Sequence, residues 1–492
     1  MPTQAKTHKQ ALSRSKVLAT LCLPLILTGC YSLKSPPPEA ERPLPFITPN
    51  TWNINKQSDA SNDKTTTLSL TNYFGAHFPG FDYDILIKSA LAGNYALRQL
   101  DTQLDSQIAK HRLERAGLWP SLNAGLNSQN NHLESTSSKL FSLQGNVSWT
   151  VDLWGTQRLL TRAAKNSVEE ASLSKDAARL SVAAATLQNW FDWRSKKKLQ
   201  QLQSDFVATL ETSFQLVENR FNTGLASLLE VRLAHTEIAL ARTDLLQKNS
   251  NAINSYSKLL EILGEEYLSL EENPLFDDLS PSLPEEASPL PAYLPADIIR
   301  QRPDLLAAER RLKSQELQLL SSKKAWLPTL NLNGSKGLQD QSLNNLLKNG
   351  LSVSAITFNL LQPVFNAGAI KAKQAQVRAS ASKELYAYSE ILHRAMIEVN
   401  RLLQQDALLK QQMEAAKFAA ALATETQSLA KRNYNTGLTD LNTFLNTHRN
   451  SINTETRLIN TTNDWLQNRV NLLLALGANP NFSQHHATAT PS

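Results

Sequence analysis

The stretch FSLQGNVSWTV (141–151) changes its character at every residue. Phe141, Leu143, Val147, Trp149 and Val151 share one face of an extended chain, and Ser142, Gln144, Asn146, Ser148 and Thr150 share the other. One apolar and one polar face sustained over this length is the pattern of a transmembrane β-strand, lipid outside and water inside. SLNAGLNSQ (121–129) supplies a partner, with Leu122, Ala124 and Leu126 in phase. TLNLNGS (329–335) and LSVSAITFNL (351–360) supply a second pair. In the last of these the alternation slips between Ala355 and Ile356, which predicts a β-bulge. Trp119, Trp154, Trp326 and Phe365 flank the strands, where either an aromatic girdle or packing at a strand–helix junction would place them.

Four such strands cannot close a barrel, and an open edge in hydrocarbon leaves backbone groups unpaired at several kcal/mol each. Single-chain outer-membrane barrels begin at about eight strands. The strands must therefore be pooled with those of other copies, two copies giving eight and three giving twelve.

The chain is also written twice. Asn-Thr-Gly-Leu stands at 222–225 and again at 435–438, displaced by 213. Gly155, Gly224 and Gly264 recur as Gly368, Gly437 and Gly477, and Leu228 and His235 recur as Leu441 and His448. AGLWPSL (116–122) answers KAWLPTL (324–330) at a slightly smaller offset. Two copies of one unit follow.

From Gly155 to Phe221 there is no internal glycine or proline, and Leu173, Ala177, Leu180, Ala184, Leu187 and Phe191 form a heptad seam. A looser seam runs through Leu385, Tyr388, Leu392, Met396, Val399 and Leu403. Each run predicts a helical rod of roughly 100 Å, too long to bury itself without neighbours. Asn-Thr-Gly suits the end of such a rod, where glycine takes the left-handed conformation, and the chain then turns back. Each repeat thus carries a helical hairpin with its tip at Asn-Thr-Gly-Leu.

Residues 1–29 read as a secretory leader, with Lys6, Lys9, Arg14 and Lys16 ahead of the apolar VLATLCLPLIL (17–27). Taking those four charges from the formal +6 leaves +2, which removes the main support for nucleic-acid binding. The leader ends in LTGC (27–30), which resembles a bacterial lipobox and makes Cys30 the lipidated first residue of the mature chain. Cys22 leaves with the leader, so no disulfide forms within the mature chain. The resemblance and Tyr31 after the cysteine imply delivery to the outer membrane.

Lipobox, repeat, strand pairs and helical hairpins together resemble the TolC-like outer-membrane efflux family, in its OprM- or NodT-like lipoprotein branch. IIRQRPDLLAAERRL (298–312) is similar to that branch's most recognisable segment, and DYDILIKSALAGNYALR (82–98) looks like its first-repeat counterpart. The resemblance implies a mixed α and β membrane protein. A homotrimer would form a twelve-stranded barrel in the outer membrane, a periplasmic α-helical barrel and an equatorial domain. The corresponding division is leader 1–29, anchor and linker 30–74, first repeat 75–272, equatorial connection 273–300, second repeat 301–478 and disordered tail 479–492. It implies a passive exit duct working with a periplasmic adaptor (membrane fusion protein) and an inner-membrane RND-type pump, in contact with outer-membrane lipid.

By the same resemblance the tips meet the adaptor, through Arg220, Asn222, Gly224, Leu225, Asn435, Gly437 and Leu438. In the second repeat the family's tip arginine position is Asn433, with Arg432 one position earlier. Asn446 and Arg449 fall where members narrow the periplasmic mouth, with Asn446 in place of the usual acid, and Asp440, three residues after Gly437, could supply an acidic ring nearer the tip. Read locally, Pro303 and Asp304 suit a first helical turn, and Asp440 does too.

No GxSxG, HExxH, P-loop or paired CxxC occurs, so the reading is of a non-enzyme without cofactor beyond the lipid on Cys30. Two other readings remain, a duct for type I protein secretion and a lipid-anchored periplasmic coiled-coil scaffold without a pore. A planar-bilayer recording separates a duct from a scaffold: conductance is expected, and a folded oligomer without it would favour the scaffold.

Overall fold

A computed structural model describes residues 51–53, 73–74, 77–78, 83–133, 136–265, 283–284, 287 and 293–477. Cys30, the leader, most of the linker, most of 273–300 and the tail 479–492 lie outside the described residues. In chain order the elements are β1 (Thr51–Asn53), α1 (Asp84–Gly93), α2 (Tyr95–Ala116), β2 (Ser121–Leu133), β3 (Thr136–Val151), α3 (Thr156–Asn222) and α4 (Leu228–Leu263). β4 (Tyr293–Pro295) follows in the connection, and the second repeat then holds α5 (Pro303–Lys323), β5 (Thr329–Asp340), α6 (Leu343–Asn349), β6 (Leu351–Leu361), α7 (Ala369–Asn435) and α8 (Leu441–Leu476). Short 3-10 turns precede and follow α5.

The repeat is kept to the residue: α3 and α7 each hold 67 residues, and α4 and α8 each hold 36. At 1.5 Å per residue the long helices reach roughly 100 Å. Laterally the order is α4–α3–α8–α7, so α4 and α7 are the outer members. Around the other half of the rods, α2 lies against α3, and α5 lies against both α3 and α7.

The strands form one antiparallel sheet in the order β2–β3–β5–β6. Its register aligns the alternation across all four strands. Val151–Leu330–Leu360, Trp149–Leu332–Phe358, Leu122–Val147–Gly334–Ile356 and Leu126–Leu143–Leu338–Ser352 make rows on one face. The other face carries Thr150–Asn331–Asn359, Ser121–Ser148–Asn333–Thr357 and Asn123–Asn146–Ser335–Ala355. Lys336 interrupts the apolar face, in a row whose other members are Ala124, Gly145 and Ser354. The expected bulge at Ala355–Ile356 is absent: Ser335 pairs with Ala355 and Gly334 with Ile356 in unbroken register. The slip is a change in what β6 presents, with Val353 and Ala355 on the polar face and Ile356, Phe358 and Leu360 on the apolar one. β1 and β4 form a separate two-stranded ladder that joins the N-terminal segment to the proline-rich connection.

At the strand–helix junction the Trp154 indole donates to the Pro328 carbonyl at 2.7 Å, and Trp149 to that of Leu118 at 3.1 Å. Trp119 and Phe365 stand exposed.

The main core gathers Leu180, Ala184, Leu187 and Phe191 of the first seam with Tyr73, Phe74, Phe78 and Tyr83, and with Trp465 and Leu466 of α8. In the second rod the buried line runs through Ala395, Val399 and Leu402, with Tyr388, Leu392, Met396 and Leu403 half-buried beside it. That line ends on a polar residue, because Asp406 pairs with Arg469 of α8 at 3.0 Å, both buried. One repeat earlier the same two positions are Trp193 and Tyr256, whose rings lie 5.8 Å apart.

Each return helix meets the start of a strand-side helix. Gly93 touches the end of α4 so closely that a Cβ there would run into the carbonyl oxygen of Leu263. Asn94 caps α2 by accepting from Ala96 and Leu97, and its amide donates to the Ile262 carbonyl at 3.3 Å. In the second repeat Arg302 takes this part. Its guanidinium donates to the Ala475 carbonyl at 3.0 Å, to Glu398 at 3.1 Å and to both oxygens of Asp304. Burial works against its charge, yet the Asp304 and Glu398 carboxylates outweigh that and hold its pKa above the ordinary value. Ile262 and Ala475 are 213 apart, so two different side chains satisfy the same orphan carbonyl of a helix end.

Arg302→Ala strands that carbonyl and two carboxylates, and the expected loss is about 2 kcal/mol, read as a lower thermal midpoint. Arg302→Lys should recover only part, since one ammonium cannot reproduce the fork. An Arg302→Ala protein as stable as the parent would contradict the assignment.

Candidate functional site

The hairpin tips are the positions at which the two repeats present the same backbone to solvent. α3 ends with Gly224 at φ +75°, where the Gly224 N–H bonds the Phe221 carbonyl (2.9 Å) and the Leu225 N–H bonds that of Arg220 (2.7 Å). α7 ends in the same way, with Gly437 at φ +78°, Gly437 N–H to Tyr434 (3.1 Å) and Leu438 N–H to Asn433 (2.8 Å). This is the Schellman arrangement, in which only glycine takes the left-handed position without strain. It thrusts Leu225 and Leu438 outward, 72% and 79% exposed, and Asn222 and Asn435 are exposed beside them.

The return helices start differently. Ser227 and Glu230 form a reciprocal capping box on α4. Asp440 caps α8, accepting from the Thr443 N–H (2.8 Å) and hydroxyl (2.9 Å). These bonds, the backbone one first, hold its carboxyl below the usual carboxylate range. The local reading of Asp440 as a helix-starting acid is thus the one its geometry shows within a single chain. The same holds for Pro303 and Asp304, at the first turn of α5.

Arg220 does not point away from the protein. Its guanidinium lies 5.2 Å from the Tyr434 ring centroid and donates to the Tyr434 carbonyl at 3.4 Å, tying the first tip to the second. Arg449 pairs with Glu237 of α4 at 2.9 Å, and Asn446 donates to Asn442 at 3.3 Å. Beneath the tips a buried cluster draws on all four helices, with Phe206 and Val217 of α3, Ile238 of α4, Tyr434 of α7, and Leu441, Phe444 and Leu445 of α8. Tyr434 and Phe444 are stacked at 5.3 Å.

The echo of His235 in His448 is one of position. His448 is buried, bonded to the Gln427 amide at 3.1 Å and packed on the Phe206 and Phe444 rings. His235 is exposed and packs on Phe214, whose partner by repeat is Gln427. The sequence reading missed the bonds of Arg302, Tyr434 and Glu237. Arg302 had a signal in the RPD triplet; the other two are fixed only by which helices become neighbours.

Burial, with Lys431 adding repulsion, lowers the His448 pKa from 6.5 to about 4. The unfolded chain therefore takes up a proton that the folded chain refuses between those values. This contribution to stability is whole above pH 6.5 and is lost as pH falls toward 4. The midpoint of thermal unfolding should fall more steeply over that window in the parent than in His448→Phe. Parallel slopes would contradict a buried neutral imidazole.

The family model for outer membrane efflux proteins matches residues 86–265 and 294–478, that is, both repeats. The chain is 25% identical to a probable efflux pump outer membrane protein, TtgC of Pseudomonas putida, over 401 residues, 80% of this chain and 82% of that one. It is 25% identical to outer membrane protein OprJ of Pseudomonas aeruginosa over 370 residues, 72% and 75% of the two chains. The fold is similar to the crystal structure of a membrane protein from Pseudomonas aeruginosa, with TM-score 0.76, 22% identity, and coverage of 87% of this chain and all of that one. Strand order, duplicated hairpins and the match across both repeats agree, and the chain belongs to the outer membrane efflux protein family.

Proposed function

We propose that three copies of this chain close head to tail into one hollow duct, the passive outer-membrane exit of a tripartite efflux pump for small molecules. The observation that carries this is that the sheet and the helical layer of one chain each end in two complementary unsatisfied edges. β2 and β6 end the sheet, and because each chain contributes two up and two down strands, β6 of one copy meets β2 of the next antiparallel. α4 and α7 end the helical layer, and these two carry the exposed apolar stripes: Leu233, Leu240, Leu246 and Ile253 on one, Leu408, Phe418, Leu422 and Leu429 on the other. Leu240 is 12 residues beyond the start of α4 and Leu422 is 13 before the end of α7, so they stand at one height above the tips.

The repeat makes the same point. Leu441, Ile459 and Leu466 of α8 are 2%, 2% and 0% exposed where α8 packs against α3. Their equivalents on α4, Leu228, Leu246 and Ile253, are 55%, 68% and 51% exposed. The contact made inside the chain between repeats is thus repeated between chains. With about 25 cal/mol per Å² of apolar surface removed from water, such stripes drive closure along the rods.

In this duct the residue ranges divide as the sequence suggested, with 1–29 removed, Cys30 lipidated in the outer membrane, 30–74 as linker and 273–300 at the equator. The tips, with Arg220, Asn222, Gly224, Leu225, Asn435, Gly437 and Leu438, dock a periplasmic adaptor that links the duct to an inner-membrane pump. Asp440, Asn446 and Arg449, just behind the second tip, are placed where the periplasmic mouth narrows. A passive duct leaves substrate choice largely to the pump.

Leu240→Cys combined with Leu422→Cys should give a disulfide ladder ending at three chains on a denaturing gel. Absence of the ladder from folded, membrane-inserted protein would overturn head-to-tail closure. Proline cannot adopt a positive φ, so Gly224→Pro or Gly437→Pro should abolish export while the oligomer persists. Normal export by both variants would remove the docking role from the tips.

A further inference from the structure

Positive charge is not spread evenly over this chain. Residues 108–120, 152–165, 316–328 and 362–378 are the four crossings between helix and sheet, all within about three helical turns of a strand. They hold eleven basic and three acidic residues, so the rest of the mature chain is net negative. All three acids are engaged: Asp152 with Arg158 at 3.3 Å, Glu114 with the Gln157 amide at 3.0 Å and Glu316 with Lys313 at 3.5 Å. Arg112, Arg115, Arg162 and Lys371 are exposed and form no ion pair among the described residues. Both repeats carry the pattern. Displacement by 213 takes Arg158 and Lys165 onto Lys371 and Arg378, and the smaller offset from AGLWPSL to KAWLPTL takes Arg115 onto Lys323. Trp119, Val364 and Phe365 stand bare at the same level, 69%, 87% and 88% exposed.

Arg162 shows which way the band faces. It precedes Leu180 by 18 residues, five full turns, and so lies on the line of α3 that joins the core with Tyr73 and Phe74. The segment bearing those rings follows the anchored end at Cys30 and therefore runs outside the wall of the duct. We propose, on the basis of the trimeric duct, that this band is a collar that binds anionic phospholipid headgroups, of the phosphatidylglycerol kind, in the periplasmic leaflet of the outer membrane. In the trimer the repeat sets the band six times around the wall. The headgroup layer is roughly 5–8 Å deep on each side of the hydrocarbon core, a depth that long basic side chains on the turns next to the sheet span. Trp119, Val364 and Phe365 enter the edge of the hydrocarbon, where aromatic rings settle, and the cations below them meet phosphate. Basic clusters beside a membrane-spanning segment hold acidic headgroups in this way, and the guanidinium fork matches phosphate oxygens. The collar thereby fixes the depth at which sheet passes into helix.

Spin-labelled lipids in phosphatidylcholine vesicles holding the full-length protein test this, because lipid held against the protein is immobilised on the timescale of electron spin resonance. Labelled phosphatidylglycerol is expected to be held about fivefold more than labelled phosphatidylcholine. The excess should vanish in 1 M NaCl, where the Debye length is about 3 Å. Arg112→Gln, Arg162→Gln and Lys371→Gln combined should remove most of it. Lys197→Gln, Lys198→Gln and Lys258→Gln combined, the same loss of charge from exposed positions farther down the helices, should not. No excess in the parent, an excess indifferent to salt, its survival in the collar variant, or equal loss in both variants would overturn the collar. The salt series needs no substitution, so it decides even where a variant fails to assemble. Each preparation is also weighed as an intact particle. Single chains in place of trimers would count against the duct, and trimers without the excess against the collar alone.

Discussion

A β-sheet in hydrocarbon cannot end. Every unpaired N–H or C=O at β2 and β6 faces a medium with no hydrogen bonds to offer, at several kcal/mol per group. Among the described residues this sheet has four strands in one chain and two such edges, so the fold is complete only as part of a ring. The helical layer has the same incompleteness in a different currency, since α4 and α7 expose leucine stripes that α3 and α8 do not. Both deficits have one remedy, because β2 and α4 stand on one side of the chain and β6 and α7 on the other.

The repeat explains how so few devices build so long an object. Two units of nearly identical length, with 67 and 36 residues in their helices, pack against each other inside the chain as they would pack between chains. Where the repeats depart from each other, the departures fall on contacts that link elements. Asn94 and Arg302 serve the same helix end by different chemistry. Trp193 with Tyr256 becomes Asp406 with Arg469, in which burial pushes the Asp406 carboxyl up and the Arg469 guanidinium down against their mutual attraction. Replacing a buried pair of this kind by well-packed rings of similar volume is often neutral or stabilising, so the ion pair is weak evidence for extra stability in the second hairpin.

Much of this was legible in the sequence because it rests on periodicity. Alternation at 141–151 sets the strand and its faces, and absence of glycine and proline from Gly155 to Phe221 sets the rod. The positive φ of Gly224 and Gly437 was readable from their place after Asn-Thr at the end of such rods. What periodicity could not supply was partnership across distant positions. The direction of Arg220 toward Tyr434, the pairing of Arg449 with Glu237 and the burial of His448 depend on α8 lying beside α3. The slip at Ala355–Ile356 misled for a related reason: alternation reports faces, and a strand can change what a face carries without changing register.

Mass spectrometry of the protein, released intact from detergent micelles after extraction from the outer membrane, measures the central claim without substitution or substrate. Three polypeptides per particle is the predicted mass. A particle of one polypeptide, folded and membrane-inserted before extraction, would show that a four-stranded edge can persist in lipid and would contradict the account.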